Sequence, residues 1–133
     1  IQNKNTGLLP YMEDCINILK HSVTDQSPEI MKTSCSAIVT LARITVPNFH
    51  MQSESLVKPI LQILHHRHSK VRIAAIEAIG ATVKFGNNKS VDDVRPGLIQ
   101  RVFDQNPSVL KVLYLTMGDW LLNLPDRYSY FSK

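Results

Sequence analysis

Asp25-Gln26-Ser27-Pro28-Glu29-Ile30, His66-Arg67-His68-Ser69-Lys70-Val71 and Asp104-Gln105-Asn106-Pro107-Ser108-Val109 are three versions of one phrase. Each lies between two stretches with apolar residues at helical spacing. Their last residues, Ile30, Val71 and Val109, stand 41 and 38 positions apart. A period of that length belongs to tandem helix pairs, each of which needs its neighbours to cover its apolar face. The expected architecture is therefore all-α, a solenoid of stacked antiparallel helix pairs. Such a frame offers surface, and its function is whatever that surface grips.

Working outward, the stretch before the first phrase carries Met12, Cys15, Ile16, Leu19 and Val23 as one apolar stripe. Ser27 is the expected N-cap of the following helix, with Pro28 at its first position, where a missing N–H costs nothing. That helix carries Ile30, Ser34, Cys35, Ile38, Leu41 and Ala42 and is expected to stop before Pro47. The second unit opens with Leu56, Val57, Ile60, Leu61 and Leu64, and Pro59 is expected in the first turn. Ser69 is the expected cap of its second helix, where Ala74, Ala75, Ala78, Gly80 and Ala81 keep the rod slim for close packing. Gly86 is a C-cap candidate.

The third unit starts near Val91 to Val94 and continues through Leu98, Ile99, Val102 and Phe103, with Arg95-Pro96 obscuring the helix start. Asn106 caps its second helix, in which Trp120 is expected to pack in the core. Repeats are thus expected at about 8–46, 54–86 and 91–124, with 125–133 opening a further one. Ile1 to Pro10 has no clear pattern and resembles the trimmed edge of a longer array. Leu8, Leu9 and the cluster Tyr128 to Phe131 are expected at its open ends.

Hydrophobic residues make up 44% and charged residues 20% of the 133, which suits a chain with a real core and excludes the disordered class. The net charge of +4 is scattered over several elements rather than gathered into a stripe. No apolar run reaches membrane-spanning length, and no signal peptide is visible. An intracellular protein is expected, with Cys15 and Cys35 as buried free thiols and the sequon Asn88-Lys89-Ser90 unused.

Catalytic chemistry finds no foothold. His65-His66-Arg67-His68 lacks the further ligands that zinc requires and suits a helix C-terminus instead. Asp92-Asp93 fits a helix N-terminus, while Glu77, Asp104 and Asp119 read as isolated carboxylates. There is no nucleophile elbow and no glycine-rich phosphate loop. No enzyme, cofactor or metal site is expected.

Lys70-Val71-Arg72-Ile73-Ala74-Ala75-Ile76-Glu77-Ala78-Ile79-Gly80 carries the V-R-x-x-A opening of a HEAT-repeat second helix, a pattern the first and third units lack. The chain therefore resembles the HEAT-repeat family. Two longer runs, Phe85 to Val94 and Gly118 to Phe131, are similar to the family of HEAT-repeat dynein axonemal assembly factors. The resemblance implies a cytoplasmic, non-catalytic scaffold for preassembly of the inner and outer dynein arms of motile cilia. Its implied partners are axonemal dynein chains, other assembly factors and chaperones. By solenoid geometry the second helices line the concave face, which makes Lys32, Arg72, Lys111 and Asp119 candidate exposed partner contacts. A nucleic-acid-binding solenoid and a general transport or adaptor protein are the competing expectations.

Overall fold

In the computed structural model, residues 2–44, 49 and 52–123 are described, with side chains from Tyr11 onward. Pro47, Leu8, Leu9 and the cluster Tyr128 to Phe131 fall outside the described residues or side chains. Among the described residues, six α-helices follow in order: α1 (Gln2–Ser22), α2 (Pro28–Ile44), α3 (Glu54–Ile63), α4 (Ser69–Phe85), α5 (Val91–Gln100) and α6 (Pro107–Asn123). Short 3-10 turns at Asn88–Ser90 and Arg101–Phe103 flank α5. The fold is an all-α repeat solenoid.

Two rows of helices form its layers. α4 packs against α2 on one side and α6 on the other, while α3 contacts α1 and α5. This position explains α4's composition. A helix enclosed on most sides must be apolar nearly all round, and Val71, Ala75, Ile76, Ala78, Ile79 and Val83 are all essentially inaccessible. Its alanines allow close approach, and Gly80 allows the closest. A Cβ there would lie 3.1 Å from Thr116 Cγ2 of α6.

The three phrases fold alike. Asp25 Oδ1 accepts the Ser27 N–H at 2.9 Å, His66 Nδ1 accepts the His68 N–H at 3.0 Å, and Asp104 Oδ1 accepts the Asn106 N–H at 3.0 Å. In each, the first residue's side chain satisfies the third residue's amide, and the helix starts at the fourth. Asn106 also caps as expected, its Oδ1 accepting the Ser108 N–H at 2.8 Å. At α4 the expectation fails: His68 holds the cap position and Ser69 is the first helical residue. His68 occupies the slot of Ser27 and Asn106, so the shared turn overrides serine's capping preference.

Other expectations are corrected. α1 begins at Gln2, well before the patterned stretch. Pro59 lies inside α3, in its second turn, because that helix starts at Glu54. α5 runs through Arg95-Pro96. Val102 and Phe103 leave the stripe in the 3-10 turn, where Phe103 is 83% exposed. Ile30 is exposed and Met31 takes its place in the core. Cys15 is exposed, and Cys35 alone is a buried thiol.

The crossing from α4 to α5 depends on Gly86. A Cβ at that position would lie 2.3 Å from both Ser53 Oγ and the Thr82 carbonyl oxygen, so only glycine fits. Ser53 Oγ accepts the Asn87 N–H at 3.0 Å, and Asn87 Nδ2 donates to Glu54, fastening this loop to the start of α3. Asn88 Nδ2, the sequon nitrogen, donates to the Val83 carbonyl at 2.6 Å.

Candidate functional site

The structure separates the four contacts nominated from the sequence. Arg72 is not an exposed position: its side chain is 14% accessible. Its Nε and NH2 groups donate to the two oxygens of Asp104 at 2.7 and 3.1 Å, and NH1 donates to the carbonyls of His66 and Arg67 at 2.8 and 3.0 Å. Arg101 reaches the same carboxylate at 3.2 Å. The arginine of the second unit thus grips its own turn and the turn of the third. This planar, two-point pairing suits arginine and not lysine. Asp104, far from isolated, is the acceptor that joins the two units.

The same cations tune that turn. Burial alone would raise the Asp104 pKa, but the Arg72 and Asn106 hydrogen bonds and the charges of Arg72 and Arg101 hold it below its ordinary value. His66 is held below its usual value, first by burial and then by the positive fields of His68, Arg67 and Arg72. That favours the neutral ring, whose Nδ1 can accept the His68 N–H. Among the described residues, no three His, Cys, Asp or Glu side chains gather as metal ligands.

Lys32 pairs with Glu29 at 2.8 Å and lines a cleft of about 480 Å³ between the starts of α2 and α4. Lys111 is exposed on α6. Asp119 is also on α6 and pairs with Lys84 of α4 at 3.1 Å. It is not an isolated carboxylate either.

Asp119 lines an open groove of about 530 Å³ across α2, α4 and α6. Its apolar lining comes from Val39, Ala74, Ala81, Phe85, Val112 and Leu115. Small side chains deepen it at Ser36, Thr40 and Gly80, and Arg43, Glu77, Lys84 and Asp119 supply balanced charge. Lys84 Nζ lies 5.5 Å from the Phe85 ring centre while it pairs with Asp119, so that corner is preorganised. Arg43, Glu77 and Leu115 are lining residues that the sequence does not nominate. Only the folded stacking brings these three helices to one trough.

One thiol lines the groove. Cys35 in its lining has its thiol pushed up to about 12, first by burial and then by the Glu77 charge, so it stays protonated at neutral pH. Cys15 stands in solvent on α1. Iodoacetamide at neutral pH is expected to alkylate Cys15 at least tenfold faster than Cys35 in the folded chain, with equal rates after denaturation. Peptide mass spectrometry reads both sites, and comparable native rates would contradict the burial of Cys35.

All of residues 1–133 match the sequence model of a family described as Dynein axonemal assembly factor 5-like, TPR repeats. The chain belongs to the dynein axonemal assembly factor 5-like family. Curated relatives named Dynein axonemal assembly factor 5 include one from Homo sapiens, 48% identical over 127 residues, covering 96% of this chain. One from Xenopus laevis is 43% identical over 126 residues, covering 95% of the chain. One from Drosophila melanogaster is 32% identical over 127 residues, covering 89% of the chain. The chain spans only 15%, 15% and 14% of those three proteins. No solved structure matches it. The family description names TPR repeats where the sequence reads as HEAT. Both are tandem helix hairpins, and the spacings of 41 and 38 residues lie closer to the HEAT period of about 40–47 than to the TPR period of about 34. Among the described residues of this family member, no helix is long and apolar enough to cross a membrane.

Proposed function

We propose that this chain is a non-catalytic, protein-binding segment of a cytoplasmic scaffold for preassembly of the inner and outer axonemal dynein arms. The names of its relatives support the pathway, and the groove across α2, α4 and α6 supports the mode of action. The partners are axonemal dynein chains, other assembly factors or chaperones. Asp119 and Lys111 belong to the contact surface together with Leu115, Glu77 and Arg43. Lys32 extends it at the neighbouring cleft. Arg72 acts indirectly, by fixing the third unit against the second.

The observation that carries this reading is Leu115, an apolar side chain 64% exposed at the edge of a preorganised trough with charge of both signs. Buried apolar anchors framed by polar groups are what protein partners use. Nucleic acid would need a run of positive charge, and the groove holds two cations and two carboxylates.

The test is affinity capture by the full-length protein from cells building motile cilia. Leu115→Arg and Glu77→Lys are expected to reduce recovery of dynein arm chains or assembly factors at least tenfold. Leu122→Arg, at a residue 79% exposed and outside the groove lining, is expected to leave it intact. All three should retain the parent's circular dichroism and melting midpoint. Recovery unaffected by both groove variants would remove the groove from the mechanism, and specific recovery of nucleic acid instead would overturn the scaffold reading.

A further inference from the structure

The four charges that line the groove are not equally engaged. Lys84 and Asp119 satisfy each other, whereas Arg43 and Glu77 are exposed and make no ion pair among the described residues. Their places along the groove follow from the repeat. α4 and α6 run in the same direction, since Thr116 lies against Gly80 and, one turn on, Asp119 pairs with Lys84. Superposing the first two turn phrases, a shift of 41 residues, puts Arg43 of α2 level with Lys84 and Ser36 level with Glu77. Arg43 thus stands seven residues beyond Glu77 along the shared axis, two turns or about 10.5 Å. The Glu77 charge is felt by Cys35, the neighbour of Ser36, which fixes that end of the groove independently.

The space between these two charges suits a helix. α4 supplies a low floor at Ala74 and Ala81, and α2 and α6 supply walls at Val39 and Leu115. Floor and walls are helical, so their backbone groups are already paired and offer an extended guest no ladder. An extended segment would bury its own amides unsatisfied, whereas a helix arrives with its backbone bonded. Direction follows from charge. A helix favours acidic side chains near its N-terminus and basic ones near its C-terminus. An acid for Arg43 and a base for Glu77 therefore put the guest's N-terminus at the Arg43 end. The C-terminus of α4, at Phe85, lies at that same end, so the guest runs antiparallel to α4 with opposed dipoles.

We propose that the groove takes one amphipathic α-helix of a partner protein, antiparallel to α4, with an acidic side chain at position i against Arg43 and a basic one at i+7 against Glu77. A large apolar side chain at i+3 or i+4 lies between them, over Ala81 and against Val39 and Leu115. The Lys84–Asp119 pair stays intact at the rim and rejects a guest charge of either sign there. This inference rests on the reading of the groove as a contact surface and adds to it the fold, direction and charge order of what binds.

Selection from a phage-displayed library of helical peptides, randomised at i, i+3, i+4 and i+7, tests it on the purified full-length protein. Enriched peptides are expected to carry Asp or Glu at i and Lys or Arg at i+7. Fluorescence anisotropy should show each binding Glu77→Lys at least tenfold more weakly, with recovery when the peptide's i+7 residue is changed to Glu. Arg43→Glu should act in the same way on position i alone. Both variants change exposed residues and should keep the parent's melting midpoint. No enriched helix, or enriched helices whose preferences ignore the two reversals, would overturn the proposal. Tighter binders from a parallel library of proline-containing, extended peptides would overturn it by assigning the groove to a strand-like guest. A dimer of the full-length protein that Leu115→Arg dissociates would overturn it by assigning the groove to a second copy. The selection contains no dynein component, so its failure is distinct from failure of the assembly reading. Peptides that follow the reversals, with capture from cells unaffected by the groove variants, would keep this inference and remove that one.

Discussion

Replacing Trp120 with alanine is expected to destabilise the chain by about 3–5 kcal/mol, the range for deleting a large aromatic from a packed interior. A typical domain is stable by only about 5–15 kcal/mol, so the variant should be largely unfolded well below the parent's midpoint. The reason is local. Gly80 has no Cβ, so α6 can bring Thr116 close to α4. One turn later Trp120 is then fully buried, with its indole N–H donating to the Gly80 carbonyl at 3.3 Å. The loss is of packing first and of a hydrogen bond second. Trp120→Phe retains most of the apolar area and removes the donor, so its expected cost is nearer to about 1–2 kcal/mol, combining a modest cavity with one net hydrogen bond. Urea denaturation followed by far-ultraviolet circular dichroism measures both. An alanine variant within about 1 kcal/mol of the parent would show that this residue is not the centre of the α4–α6 junction.

The same junction shows which features are legible in the sequence. The three turn phrases mark the starts of α2, α4 and α6, because a side-chain acceptor two residues before the cap is a local device. The cap of α4 still escapes a reading by residue type. Serine's general preference points to Ser69, whereas alignment of the phrases places His68 in the capping slot. Cys15 illustrates the limit of reading a stripe in the same way. Met12, Ile16, Leu19 and Val23 cluster on one side of α1, and Cys15 lies about 60° from Met12 on the helical wheel, enough to leave it in solvent. Phe103 continues the apolar spacing of α5, but the helix has already tightened into a 3-10 turn there.

The candidate surface is less legible because it is made by long-range convergence. Arg72 looks available as a lone cation in a helical stripe, and Asp104 and Asp119 look like lone anions. Their partners lie 32 and 35 residues away in sequence. Folding buries Arg72 in the pair with Asp104 and leaves Asp119 lining the groove, and nothing in the two local sequences distinguishes those fates. The groove combines Val39, Ala81 and Leu115 from three units. Residue type suggests each of them as core, but only the stack decides which remain at the surface.

Asp104→Ala is expected to cost about 3–4 kcal/mol, and its pH dependence identifies the cause. Removing one partner of a buried pair costs about 3–5 kcal/mol, because the other charge is left uncompensated. The lower part of that scale applies here, since Arg72 retains the His66 and Arg67 carbonyls and some solvent contact. Asp104→Asn, which preserves an acceptor for the Asn106 N–H, should lose less than Asp104→Ala and more than a surface substitution. The carboxylate's pKa is lowered in the folded state, so its ionised form stabilises the fold above the unfolded value of about 3.9. That stabilisation is lost as pH falls through the lower, folded value. The stability gap between the parent and Asp104→Asn should therefore be flat from neutral pH to about pH 5 and close only under more acid conditions. Denaturation curves for both proteins across that range provide the check. A gap that closes between about pH 7 and pH 5 would assign the effect to a titrating group such as His66, whose neutral ring accepts the His68 amide, and not to the Arg72–Asp104 clamp.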